Sequence, residues 1–164
     1  MTRRTLAGIL ALVAATGAIW WWTAGTSEER QVRRLFEDFA EELNAGSTGG
    51  FGTLTHIARL SEFFHPDIVV ELGQGSPPIQ GRETLLGMVS RLQPRTAAFV
   101  LEMDDVNAEF TDQDHGDVTF TALIRRRSAD SGEESIDARE FAAEVVRSGG
   151  RWQVRRVVAI DTLR

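Results

Sequence analysis

Acid–base chemistry in this chain rests on aspartate, glutamate and three histidines, His56, His65 and His115. There is no Cys, Lys or Tyr, so all 18 basic residues are Arg. That excludes a thiol nucleophile, a thiolate metal site, a Schiff base and a phenolic donor. His65-Pro66-Asp67 places an imidazole two residues from a carboxylate. It reads either as a general-base pair or as a turn in which Asp67 caps the entry to a strand and His65 lies at the surface. Two ligands without a third do not make a metal site, and neither a metal nor a cofactor is expected. Glu71 is a candidate pocket acid, or an Arg-paired strand residue. Arg156 falls in the parity class of Trp152, Val154, Val158 and Ile160, which should face apolar surroundings. Buried, it needs a carboxylate or an anionic ligand; the alternative is a bulge that turns it outward. Arg125-Arg126-Arg127 is a basic cluster expected to be a solvated strand end.

The elements that must position these groups are legible as periodicity. Thr26-x-x-Glu29 has the form of a capping box. Val32, Leu35, Phe36, Phe39 and Leu43 then recur at helical spacing until Asn44 and Gly46, which should end the helix. A shorter helix is predicted from about Thr53 to Phe64, stopped by Pro66. A short strand, Asp67–Leu72, and a Gly/Pro loop to Gly81 follow. A third helix runs from about Arg82 to Leu92. The remainder is strand. Phe99, Leu101 and Met103 alternate on one face, then Val106, Ala108 and Phe110 on the opposite parity, so a bulge is expected near Asp104-Asp105. Strands around Val118–Ile124, Phe141–Val145 and Trp152–Ile160 complete a four-strand antiparallel meander, with a tight turn at Ser148-Gly149-Gly150. The fold class is α+β.

Phe64-His65-Pro66-Asp67-Ile68-Val69-Val70-Glu71, Ile79-Gln80-Gly81-Arg82-Glu83 and Gly150-Arg151-Trp152-Gln153-Val154, in this order of elements, resemble the nuclear transport factor 2-like (SnoaL-like) superfamily. The resemblance covers roughly Glu28 to Ile160. It implies a cone, three N-terminal helices packed on a curved antiparallel sheet, and a range of roles from isomerase and dehydratase to domains without chemistry. In its ketosteroid isomerase and polyketide cyclase branches an acid at the end of the first strand faces the interior. Here that position falls near Leu72, and alternation turns Glu71 to the other face. The isomerases' tyrosine is missing, and the dehydratase His/Asp arrangement finds no counterpart.

Ahead of this domain, Thr5–Trp22 carries no charge, and none appears between Arg4 and Glu28. Eighteen helical residues reach roughly 27 Å, close to the hydrocarbon thickness of a bilayer. Arg3 and Arg4 precede the stretch and Trp20, Trp21 and Trp22 close it, as basic and aromatic interface residues do. The expected organisation is residues 1–27 as tail, one transmembrane helix and linker, and residues 28–164 as the domain, outside a bacterial inner membrane in the periplasm. A cleaved signal peptide ending near Thr23-Ala24-Gly25 is the rival. This layout also looks like the single-pass assembly component of type IV secretion systems. From Glu28 onward sixteen arginines face twenty-four acids, a net charge of −8, which argues against nucleic acid as a partner. The functional expectation is a non-catalytic interaction module, an accessory or assembly subunit of a membrane complex, whose partners are the bilayer and other membrane-protein subunits. The alternative is a lyase, isomerase or binder that takes a small apolar ligand in the cone.

Overall fold

The computed structural model describes residues 27–49, 54–73, 75–91, 97–128 and 133–160. Thr26 of the capping box, Thr5–Trp22, Arg3, Arg4 and Trp20–Trp22 lie outside the described residues. Among the described residues no helix is long and apolar enough to cross a membrane.

Helix α1, Ser27–Gly49, opens with Glu28 and Glu29 in its first turn, where acids favour the helix dipole. Its apolar stripe follows the spacing: Val32, Phe36 and Ala40 are buried, and Leu35, Phe39 and Leu43 pack beside them. The helix continues past Asn44 and Gly46, where the sequence predicts its end. The reason lies in another element. The Asn44 side chain is taken up by strand β3 (Ala97–Phe110): its Nδ2 donates to the Leu101 carbonyl and its Oδ1 accepts from the Leu101 N–H, both at 2.8 Å. An amide engaged across an interface no longer competes for its own helix backbone. Arg33 makes a similar contact, donating to the Val106 carbonyl at 3.2 Å. Together these bonds cover part of an edge strand that would otherwise offer free backbone groups.

Helix α2, Leu54–Glu62, is followed at once by strand β1, Phe64–Glu71. The strand therefore begins three residues earlier than its apolar run suggests, and Pro66 sits within it, at an irregularity between Phe64 and Val69. The short strand β2, Ile79–Gln80, pairs with β1. Gly81 then takes φ +83°, a left-handed conformation suited to glycine, and hands the chain to helix α3, Arg82–Arg91. Strands β4, His115–Ser128, β5, Glu134–Ser148, and β6, Arg151–Ala159, complete the sheet.

The strand order is β2-β1-β6-β5-β4-β3. The meander β3–β6 is antiparallel as expected, but β1 runs parallel to β6, so the sheet is mixed. Periodicity reports which face a strand buries; it carries no information about the direction of a neighbour nearly ninety residues away. The bulge at Asp104-Asp105 is present: Asp105 has φ +53° and the β3–β4 register shifts between Asp104 and Asn107. Gly149 and Gly150, both at positive φ, form the two-residue turn between β5 and β6.

A second bulge lies in β6. Glu144 pairs with Arg156 while the adjacent Val145 pairs with Val154, which leaves Arg155 as the extra residue. Parity reverses there, so Trp152 and Val154 face inward, then Val157 and Ala159, in place of the expected Val158 and Ile160. Arg156 is thereby carried to the solvent side. The core lies between α1 and the inner face of the sheet, where Val32, Ile68, Val118 and Val145 are fully buried.

Candidate functional site

The helices do not fill the concave side of the sheet. A chamber of about 250 Å³ remains. Helix α1 contributes Leu35, Phe36, Phe39 and Leu43, and α3 contributes Leu85. Phe63 and Phe64 come from the α2–β1 junction, and Leu101, Met103, Phe120, Ala122, Ile124 and Phe141 from β3, β4 and β5. No lining side chain carries an oxygen or nitrogen atom. Aromatic contacts hold the walls: Phe36 meets Phe120 with centroids 4.8 Å apart, Phe39 meets Phe64 edge-on at 5.3 Å, and Phe120 stacks on Phe141 at 5.5 Å. These separations lie in the favourable range for ring pairs. At roughly 30 Å³ per water-sized group, the chamber holds about eight such groups.

None of the four candidate polar residues reaches this chamber. His65 is at the start of β1; its Nδ1 accepts the Asp67 backbone N–H at 3.3 Å, and the Asp67 carboxylate stands 3.9 Å away, largely exposed. The capping therefore runs the other way from the expected turn: the His65 ring accepts from Asp67, and both residues lie within β1. Glu71 and Arg156 do meet, but on the solvent face. Arg156 donates to Glu71 Oε1 through Nη2 at 2.8 Å and Nε at 3.1 Å, and to Glu144 through Nη1 at 3.4 Å. The Glu71 hydrogen bond, then its charge, then Glu144 raise the guanidinium pKa above the ordinary arginine value. Val70, not Glu71, points inward, and Leu72 beyond it is exposed. Arg125 pairs with Glu102 at 3.2 Å and Arg127 with Glu134 at 3.8 Å, all at the surface. Among the described residues no cluster of three or more His, Asp or Glu could hold a metal ion.

Two features emerge only in the fold. His56, buried on α2, sets its Nδ1 2.9 Å from Glu42 Oε1 on α1, with Arg59 3.8 Å from the same oxygen. The pair links two helices and does not line the chamber. A helical-wheel reading could have flagged it, since His56 and Leu60 share one face of α2. The second feature is a groove of about 450 Å³, carrying charged side chains, where α1, α2 and β6 meet. Its walls include Arg34 and Asp38 from α1, Glu62 from α2, and Arg151 and Trp152 from β6. Leu35 and Phe63 border both this groove and the apolar chamber. No local signal announces it, because its residues come from three separate stretches.

Comparison with known proteins agrees with this geometry. The SnoaL-like domain matches residues 55–158. No curated protein gives a significant match. Among solved structures, a candidate scytalone dehydratase from Novosphingobium aromaticivorans superposes with a TM-score of 0.69 at 17% identity, over 83% of this chain and 85% of that one. A candidate dehydratase of the NTF2-like family from Streptomyces avermitilis gives 0.63 at 18% identity, over 82% and 97%. A ketosteroid isomerase-like protein from Erwinia carotovora atroseptica gives 0.62 at 16% identity, over 82% and 96%. At these identities the likeness shows the fold.

Proposed function

The chain belongs to the SnoaL-like domain family, and from that premise we propose that it is a non-catalytic member whose cone binds a small apolar molecule. One observation carries this reading. The chamber is bounded wholly by hydrocarbon, aromatic and thioether groups, while His65, Asp67, Glu71 and Arg156 all sit elsewhere. A general acid or base must come within about 3 Å of the proton it moves. No described residue offers one there. A dry apolar cavity of about 150 Å³ suffices to bind benzene, and this chamber is larger.

The reading includes membrane attachment through Thr5–Trp22, with Arg3 and Arg4 on the cytoplasmic side and Trp20–Trp22 at the periplasmic headgroups of a bacterial inner membrane. The tether supports a role as an accessory subunit beside other membrane proteins, with the bilayer as the source of the apolar ligand. Retention in the membrane pellet after alkaline carbonate extraction supports it; recovery as a soluble chain trimmed before Glu28 refutes it.

The ligand reading is tested with toluene. The full-length chain, methyl-labelled at Met and Ile and held in phosphatidylglycerol nanodiscs, is titrated by NMR. Met103 and Ile124 in the chamber should shift in a saturable way, whereas the exposed Met88 and Ile136 should not. Equal responses at all four would refute a chamber site.

A further inference from the structure

Leu35 and Phe63 are shared walls, lining both the apolar chamber and the groove that carries the charged side chains. Both are only half-buried. The Phe63 backbone is pinned, since its carbonyl accepts the Val154 N–H at 2.9 Å. Its ring packs against the core and meets Phe39 edge-on at 5.6 Å. Leu35 and Phe63 are therefore the side chains that stand between the two cavities.

The groove has a balanced set of charges: Arg34, Arg59 and Arg151 against Asp38, Glu42 and Glu62. Two of the arginines are already engaged, Arg151 with Glu62 at 2.8 Å and Arg59 beside Glu42 at 3.8 Å. Arg34 and Asp38, one turn apart on α1, make no ion pair among the described residues. One cation and one anion are therefore left side by side. Trp152, also in the wall, is 5% exposed, and its indole N–H has no acceptor among the described residues. A buried donor without a partner is costly and rare in native folds.

We infer that chamber and groove form one bipartite site for a single-chain amphiphile with a zwitterionic head, the alkyl chain passing between Leu35 and Phe63. This rests on the chamber binding apolar groups. The chamber's capacity of about eight water-sized groups suits a chain of about eight carbons. A phosphodiester on the head supplies the acceptor for Arg34, and its ammonium faces Asp38. A head of single charge would meet three groups of its own sign.

Octylphosphocholine is the probe, used as monomer with the full-length chain in phosphatidylglycerol nanodiscs. It should shift the Met103 and Ile124 methyls and the Trp152 indole N–H together, with about ten-fold higher affinity than octyl glucoside, the margin expected of charge-assisted hydrogen bonds. Phosphocholine alone should leave Met103 still. Arg34→Ala and Asp38→Ala, both exposed positions, should each remove the margin over octyl glucoside while toluene binding persists. Arg139→Ala is the control for a head at the opposite end. Arg139 is exposed on the strand row of Met103 and Ala122, donating to the Leu72 carbonyl at 3.4 Å.

If toluene binds but octylphosphocholine shows no margin, or if Arg139→Ala removes it in place of Arg34→Ala, the bipartite site is overturned and the chamber reading stands. If toluene leaves the chamber methyls unmoved, both fall.

Discussion

Ala122→Leu is expected to stabilise the protein and to weaken toluene binding. Ala122 lies on β4, 7% exposed, with its side chain on the chamber wall. Leucine adds three carbon atoms, which would occupy somewhat under half of a chamber with room for about eight water-sized groups. Burial at about 0.8 kcal/mol per methylene contributes roughly 2.4 kcal/mol. Ordering a leucine side chain costs about 0.5–1 kcal/mol, so the net gain is about 1.5–2 kcal/mol. For a domain of this size that raises Tm by about 6 °C. Differential scanning calorimetry measures the shift, and the Met103 methyl titration measures the loss of binding. The sign is what matters. In a close-packed core the same substitution costs about 1–3 kcal/mol through strain. A Tm that falls by several degrees, or toluene that binds Ala122→Leu as well as wild type, would refute the existence of usable space in the cone.

The other predictions concern the scaffold and the rejected polar candidates. Asn44→Ala should cost about 2–3 kcal/mol, since it strips partners from both the N–H and the carbonyl of Leu101; urea unfolding checks this, and Leu101 amide exchange should speed up with it. Arg156→Ala should leave toluene affinity unchanged, because the Glu71–Arg156–Glu144 cluster lies on the solvent face; a drop in affinity would return Arg156 to the site. Asp112 accepts the Asp114 N–H at 2.8 Å and faces His115 at 3.0 Å, and these contacts, the backbone bond first, lower its pKa. A depressed carboxyl contributes stability above the ordinary value of about 3.9 and loses it as pH falls through the lower folded value. Protection of the Asp114 amide should fade over that window, and Asp112→Asn should remove the pH dependence.

Much of the scaffold follows from local pattern. The parity change at Asp104-Asp105 and the paired glycines at Gly149-Gly150 reappear as a bulge and a two-residue turn. The outward turn of Glu71 follows from simple alternation with Val70. Arg156 was the harder case. Its parity class pointed inward, and the bulge offered as the alternative is what occurs, with Arg155 as the extra residue. Asn44 shows the opposite failure. A residue that reads as a helix stop is used by β3, and helix α1 runs on to Gly49.

By itself, then, the sequence determined the order of the main helices and strands, the face most of them bury and the absence of thiol, amine and phenol chemistry, because side-chain type and a period of 2 or 3.6 are local properties; β2 and the face of β6 beyond its bulge were not among them. Only the tertiary structure decided that β1 lies parallel to β6, that the cone is hollow, and that Leu35 and Phe63 divide an apolar space from a charged one. A cavity is the difference between the volume enclosed by several elements and the volume their side chains fill. Its walls here come from residues as far apart as Leu35 and Val157, so no window along the chain contains it.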